Sequence, residues 1–363
     1  MKFKTSKEQI IELTKALLAF ESTESNVKEQ HACIDLLEKK FCNDFFITRH
    51  EFLGRPALVM STTKKKMVKV IFSGHIDVVP GKKSLFKPTV KGSKLFGRGS
   101  YDMKAGVVAS IYAAVDYRKN GGTKDVAIML TSDEETSGYS SRMLLQEKGY
   151  RAEFAFLPDG GTDVGIVLKQ KGFMQIKVTV NGKSAHAAYV WEGDNALTKV
   201  LRLQEAIKEA FHDPDENEQW RTSVVLSKVE TSNSLNQVPG SATSYFDIRY
   251  INNKDPRIII SLIKKILGSK STVEVLVENG MFASKENNHY VKTLASILHK
   301  KTKKPISFVN ENGTSDAIFF TEHGIPAALY RPKGGDQHQD GEWVDINSLF
   351  DMYEVLFQFL ENC

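Results

Sequence analysis

Five short segments hold the residues that could do chemistry: His75-Ile76-Asp77, Gly97-Arg98-Gly99-Ser100-Tyr101-Asp102-Met103-Lys104, Asp133-Glu134-Glu135, Pro158-Asp159 and Gln337-His338. Imidazole nitrogens and carboxylate oxygens are the donors that zinc, manganese and cobalt favour. In His75-Ile76-Asp77 the carboxylate two residues on can hold the second ring nitrogen of a metal-bound histidine and so fix its tautomer. The adjacent Glu134 and Glu135 suggest a division of labour, in which one binds metal while the other handles protons. Each segment alone has a plainer reading. His-x-Asp pairs occur on surfaces and at caps, paired glutamates open solvated helices, and Asp102 can cap a helix beginning near Lys104. His338 sits in a polar loop. It is the order and placement of all five segments together that favour the chemical reading.

Periodicity shows the elements that must position them. Ser6 followed by Gln9 is a capping-box pattern, and Ile10, Leu13, Leu17 and Leu18 share one helical face. A second helix carries Val27, Ile34, Leu37 and Phe41. Met67 to Phe72 reads as a buried strand that delivers His75 at its C-terminal end. Helix Lys104–Tyr117, strand Asp125–Leu130, a helix over Ser140–Lys148 and strand Glu153–Phe156 follow. Buried strands alternating with helices predict an α/β sheet covered on both faces. Three of the polar clusters fall just past strand ends, where ligand sites form in such sheets.

The pattern changes near Gly172. Met174, Ile176, Val178 and Val180 alternate with polar residues, as on a half-buried strand. A helix over 194–211, strands Ser223–Val229 and Ala242–Tyr250, a helix opened by Asp255-Pro256 and a strand Val273–Val277 complete a β-α-β-β-α-β order, that of a ferredoxin-like plait. Residues 172–281 are therefore expected to form an inserted domain. Residues 1–171 and 282–363 would make a discontinuous catalytic domain, with helix 285–300, strand 306–309, helix 315–323, strand 326–330 and helix 345–361 in its second part.

Size and composition agree with two soluble domains. The chain has 363 residues, 41% hydrophobic and 26% charged, a length that exceeds one ordinary core. No apolar run approaches the ~18–20 residues that span a bilayer, and the N-terminus lacks a signal peptide's apolar stretch, so a cytoplasmic protein is expected. Cys33, Cys42 and Cys363 are odd in number, lack a CxxC spacing and read as free thiols. The net charge of +5 is scattered. Its densest cluster, Lys64-Lys65-Lys66, reads as a solvated loop, and no nucleic-acid partner is expected.

Further stretches carry a resemblance: Ser73-Gly74-His75-Ile76-Asp77-Val78-Val79-Pro80, Gly97-Arg98-Gly99 through Asp102-Met103-Lys104, Asp133-Glu134-Glu135, Gly182-Lys183-Ser184-Ala185-His186 with Gly193 and Asn195-Ala196, Asn236-Gln237-Val238-Pro239, Asp247-Ile248-Arg249 and Gly313-Thr314-Ser315-Asp316-Ala317. In these the sequence resembles the M20 metallopeptidases, a group that includes acetylornithine deacetylase, succinyl-diaminopimelate desuccinylase, aminoacylase, carboxypeptidase G and bacterial dipeptidases. The resemblance runs over essentially the whole chain. It implies a zinc-peptidase-like catalytic domain with an inserted lid and dimerisation domain. It implies two divalent ions, zinc or else cobalt or manganese, bridged by Asp102, one completed by His75 and Asp159 and the other by Glu135 and His338. Asp77 would orient His75, Glu134 would be the general base, and His186 would stabilise the oxyanion, often in a neighbouring subunit's site. Asn236 and Arg249 could bind a substrate carboxylate, although Arg249 suits a strand-face salt bridge equally. A cis peptide is expected at Asp102–Met103. The chain departs from the family at Val190, where proline is usual, and at Ala105, where glycine is usual. Asp159 leans the expected substrate towards dipeptides and aminopeptidase substrates, with N-acyl amino acids as the alternative.

Overall fold

Strand Met67–His75 shows how the sequence builds the site. Its side chains are buried from Val70 onward, so it has to lie inside a sheet with both faces covered. The computed structural model, which describes residues 4–268 and 271–363, places it there. The chain divides into two compact units, one of Met1–Leu168, Ala283–Val309 and Ser315–Cys363, the other of Lys169–Phe282 and Asn310–Thr314.

In the larger unit six strands lie side by side in the order Phe46–Phe52, Arg55–Ser61, Val126–Thr131, Met67–His75, Arg151–Leu157 and Ala327–Leu329. The last four are parallel to one another, and the first two form an antiparallel hairpin on the edge. The sheet is therefore mixed, with helices flanking it. Helix Lys104–Lys119 is buried along nearly its whole length and packs against helices Lys7–Leu18 and Ile346–Asn362. The first of these opens with the expected capping box: Gln9 N–H donates to Ser6 Oγ at 3.3 Å and Ser6 N–H to Gln9 Oε1 at 2.8 Å.

The sequence reading omits the edge hairpin. Its turn is Leu53-Gly54, with φ of 50° and 77°. Leucine at positive φ is not a turn signal of the Asn-Gly kind, so nothing local announces it. A second, small sheet runs Gly334–Gly335, Trp343–Asp345, Lys94–Phe96, Thr89–Lys91. It joins segments about 250 residues apart in sequence and carries the loops of Asp102 and His338.

The smaller unit is the expected plait. Its antiparallel sheet has the order Ser223–Glu230, Ser241–Tyr250, Gly172–Asn181, Ser271–Asn279, with helices Ala196–Ala210 and Asp255–Leu267 in the connections. Alternate residues Met174, Ile176, Val178 and Val180 face the helices in its core. The Lys64–Lys66 cluster is an exposed turn: Lys65 pairs with Asp125 at 3.4 Å, and Lys64 and Lys66 lie over the rings of Phe46 and Tyr150. Among the described residues no helix is long and apolar enough to cross a membrane.

Candidate metal centre

The parallel strands Met67–His75, Val126–Thr131 and Arg151–Leu157 end on one edge of the sheet and deliver His75, the Asp133–Glu135 turn and Asp159 to one place. The small sheet brings Asp102 and His338 to the same place. Asp102 does not cap the following helix. Met103 occupies the cap position without a side-chain bond, and the Asp102 carboxylate points instead at two imidazoles. Its Oδ1 lies 3.2 Å from His75 Nε2 and its Oδ2 3.0 Å from His338 Nε2. His338 Nε2 is also 3.3 Å from Glu135 Oε2, and His75 Nε2 is 3.8 Å from Glu134 Oε2. Two triads have ligand atoms within 4.8 Å of one another: His75, Asp102 and Glu135, and His75, Glu134 and Asp159. They cut across the two ligand sets implied by the resemblance, with His75 common to both. The Asp102–Met103 peptide is cis.

Asp77 contacts both His75 and the Glu135 backbone. The His75 Nδ1 lies 3.0 Å from the Asp77 backbone carbonyl and 3.5 Å from its carboxylate Oδ1, which is buried and makes no hydrogen bond. The other carboxylate oxygen accepts the Glu135 N–H at 2.9 Å. One side chain thus ties the first strand end to the second.

The electrostatics are those of crowded carboxylates. Burial, then the charge of Asp159, pushes Glu134 well above the ordinary carboxylate range. Burial and Asp102 do the same to Asp159. Burial opposes the charge on Asp102, but His338 and His75 outweigh it and hold Asp102 low. Burial also opposes protonation of His75, yet the nearby carboxylates of Asp102 and Asp77 carry its pKa well up. Asp102 and Glu135 lift His338 to about 10. Four acidic and two imidazole side chains of this kind fit divalent cations, which would satisfy the mutual repulsion of the carboxylates.

Several groups beside this centre make contacts that the motifs did not specify, although Arg98, Lys104, Asp316 and Gln337 lie within them. Glu342 forms an ion pair with Arg98 at 2.6 Å. Gln337 Nε2 donates to Asp102 Oδ2 at 2.6 Å and is itself held by Arg331 Nη1 at 2.9 Å. Lys104 is wholly buried and donates to the Leu17 and Phe20 carbonyls at 3.0 and 3.2 Å. Asp316 accepts hydroxyl bonds from Ser141 and from Thr131, the latter at 3.4 Å, and burial raises its carboxyl to about 7.

The remaining candidates lie in the smaller unit. His186 pairs with Gln237 across a two-stranded ribbon, and the Ala187 N–H donates to the Asn236 carbonyl at 2.8 Å, so His186 and Asn236 are neighbours. The Ala188 N–H donates to His186 Nδ1 at 3.1 Å. That leaves the proton of a neutral ring on Nε2, in the exposed direction. Arg249 forms the strand-face salt bridge that the sequence allowed. Its Nε donates to Asp247 Oδ1 at 2.8 Å, its guanidinium stacks on Phe173, and it lines a cavity of about 390 Å³ with Lys171, Gln219, Ser223 and Asn312. Lys171 is buried there, and burial, then Arg249, pushes its pKa down.

This arrangement has counterparts among known proteins. The sequence pattern of peptidase family M20/M25/M40 matches residues 71–362. A succinyl-diaminopimelate desuccinylase of Wolbachia pipientis wMel is 26% identical over 374 residues, covering 97% of this chain and 92% of the relative. The aminopeptidase PepT of Bacillus cereus ATCC 10987 superposes with a TM-score of 0.82 at 19% identity, covering 98% of both chains. A dinuclear metal-binding peptidase of the M20 family from Bacillus subtilis gives a TM-score of 0.72 at 12% identity, covering 98% of this chain and 99% of that one. The two sheets that gather His75, Asp102 and Asp159 are thus the scaffold of a metallohydrolase of amide or peptide bonds, and the chain belongs to the M20/M25/M40 peptidase family.

Proposed function

We propose that this protein hydrolyses short peptides, with His75, Asp102, Glu135, Asp159 and His338 holding two ions, zinc in the first instance. The observation that carries the reading is the Asp102 carboxylate, which turns one oxygen to each imidazole. When bound, the ions supply a water of lowered pKa and polarise the scissile carbonyl. Glu134 is the general base. It is partly buried and stands beside the ligands, so its carboxylate can take the water's proton and return it to the leaving amine. His186, protonated on Nε2, donates to the developing oxyanion. Arg249, with Lys171, anchors the substrate carboxylate, and Asn236 assists. The smaller unit serves as a lid and pairs two copies in a cytoplasmic homodimer. The free thiols Cys33, Cys42 and Cys363 agree with a reducing compartment.

The full-length likeness to a desuccinylase favours a second reading, an N-acyl amino acid deacylase. One panel separates them: purified protein loaded with Zn²⁺, Co²⁺ or Mn²⁺, tested on free-amine dipeptides and on N-acetyl and N-succinyl amino acids. We expect dipeptide cleavage that a chelator abolishes and that Glu134→Ala lowers by roughly 10²–10⁴-fold while retaining metal. Preference for acylated substrates would establish the deacylase, and no turnover of either class would reject both.

A further inference from the structure

Glu342 lies four residues after His338 and just before strand Trp343–Asp345. That strand pairs with Lys94–Phe96 in the register Trp343 opposite Phe96, which sets Glu342 beside the turn leading to Asp102. The Glu342 side chain is 0% exposed. Its Oε2 accepts from Arg98 Nη1 at 2.6 Å. Its Oε1 accepts two backbone N–H groups, from Tyr101 at 2.9 Å and from Asp102 at 3.1 Å. Its own carbonyl accepts the Gly97 N–H at 3.1 Å. Both carboxylate oxygens are therefore committed to the segment that presents the Asp102 side chain.

Stability is a poor explanation for such a group. A buried ion pair gains little over well-packed apolar residues of the same volume, because both charges lose their hydration. This pair is not fully satisfied either, since the Arg98 Nε is buried without a partner. In the His338 loop, Asp336 and His338 are non-glycine residues at φ of 56° and 61°, a region that aspartate and histidine enter more readily than most residues.

We propose that Glu342, clamped by Arg98, is a positioning residue for the metal centre. It fixes the Asp102 backbone relative to the chain that carries His338, so that the Asp102 and His338 donors hold the spacing one ion requires. The inference rests on the reading above, in which Asp102, Glu135 and His338 bind metal. A carboxylate that touches neither metal nor substrate would then control how tightly an ion is held.

The test is a metal titration of the metal-free full chain. Wild type, Glu342→Gln, Arg98→Lys and Arg98→Met are titrated with Zn²⁺ against a chromophoric chelator, and with Co²⁺ followed by its visible absorption. Circular dichroism checks the fold of each. Wild type is expected to take up two ions. Glu342→Gln keeps the amide acceptor but turns an NH₂ towards Arg98, and it should hold one ion about 10–100-fold more weakly, with a changed Co²⁺ spectrum. Arg98→Met should weaken the same ion, and Arg98→Lys should recover part of the loss. Variants that melt earlier yet bind both ions with wild-type affinity and spectrum would reduce the pair to a structural tie and overturn the proposal. If Glu342→Gln does not fold, the two Arg98 variants decide by the same titration, and equal affinity in both would overturn it. A wild type that binds no ion, or an Asp102→Ala variant that keeps both, would remove the metal centre itself and this proposal with it.

Discussion

The side chain on which the centre turns is Asp102, whose two oxygens face two imidazoles. Without metal those imidazoles hold protons: His338 is raised to about 10 and His75 well above its ordinary value. The sign of the pH dependence follows. A folded-state pKa above the unfolded one stabilises the metal-free fold below about 6.5, and this is lost as pH climbs towards the folded value. A cation has to displace the same protons, so its affinity should rise with pH, by roughly tenfold per unit for each proton released. Calorimetric titration of Zn²⁺ in two buffers of different ionisation heat, at pH 6.5 and 7.5, should show protons passing to the buffer. Zero transfer at both pH values would contradict the protonated imidazoles. The five ligand candidates were legible only as a set, through the order and placement of their segments and the resemblance these carry, since each alone has a plainer reading. Glu342 was not, and nor was the role of Arg98, because their contact lies in a register between strands far apart in the chain.

Among the elements, helix Lys104–Lys119 sets how closely the ligand-bearing segments approach. Ala105, where the family usually has glycine, is fully buried. Gly106 is the position that has to stay small. A Cβ there would lie 2.4 Å from Pro158 Cβ and 3.4 Å from the Pro158 carbonyl, next to Asp159. Alanine in a helix interior normally gains about 0.5–1 kcal/mol over glycine. Here overpacking should cost about 1–3 kcal/mol, so Gly106→Ala should lower the melting temperature and weaken metal binding together. A raised melting temperature would show that helix and strand can part without harm. Helix and buried-strand positions were readable from periodicity alone. The hairpin Phe46–Phe52 and Arg55–Ser61 was hidden because its turn uses Leu53 where asparagine or aspartate would have announced it.

Over the whole molecule, the smaller unit leaves two sheet edges open, Ser223–Glu230 and Ser271–Asn279. Val225 is 53% and Leu276 48% exposed on them, and open apolar edges invite pairing. Sedimentation velocity is expected to show a dimer that Val225→Glu shifts towards monomer, whereas a wild-type monomer at every concentration would reject the pairing. The sequence by itself determined the α/β and plait layers, through periods of 3.6 and 2, and offered the candidate metal donors, through residue type and the order of the motif segments. These are local properties, fixed by how each side chain meets its own backbone. Tertiary structure alone decided which Asp102 oxygen faces which imidazole, that Asp77 spans two strand ends, and that Glu342 reaches the Asp102 backbone. Those contacts depend on pairing registers between strands up to about 250 residues apart, such as Trp343 opposite Phe96. No local pattern encodes such a register, because the energy that selects it is the packing of the whole core.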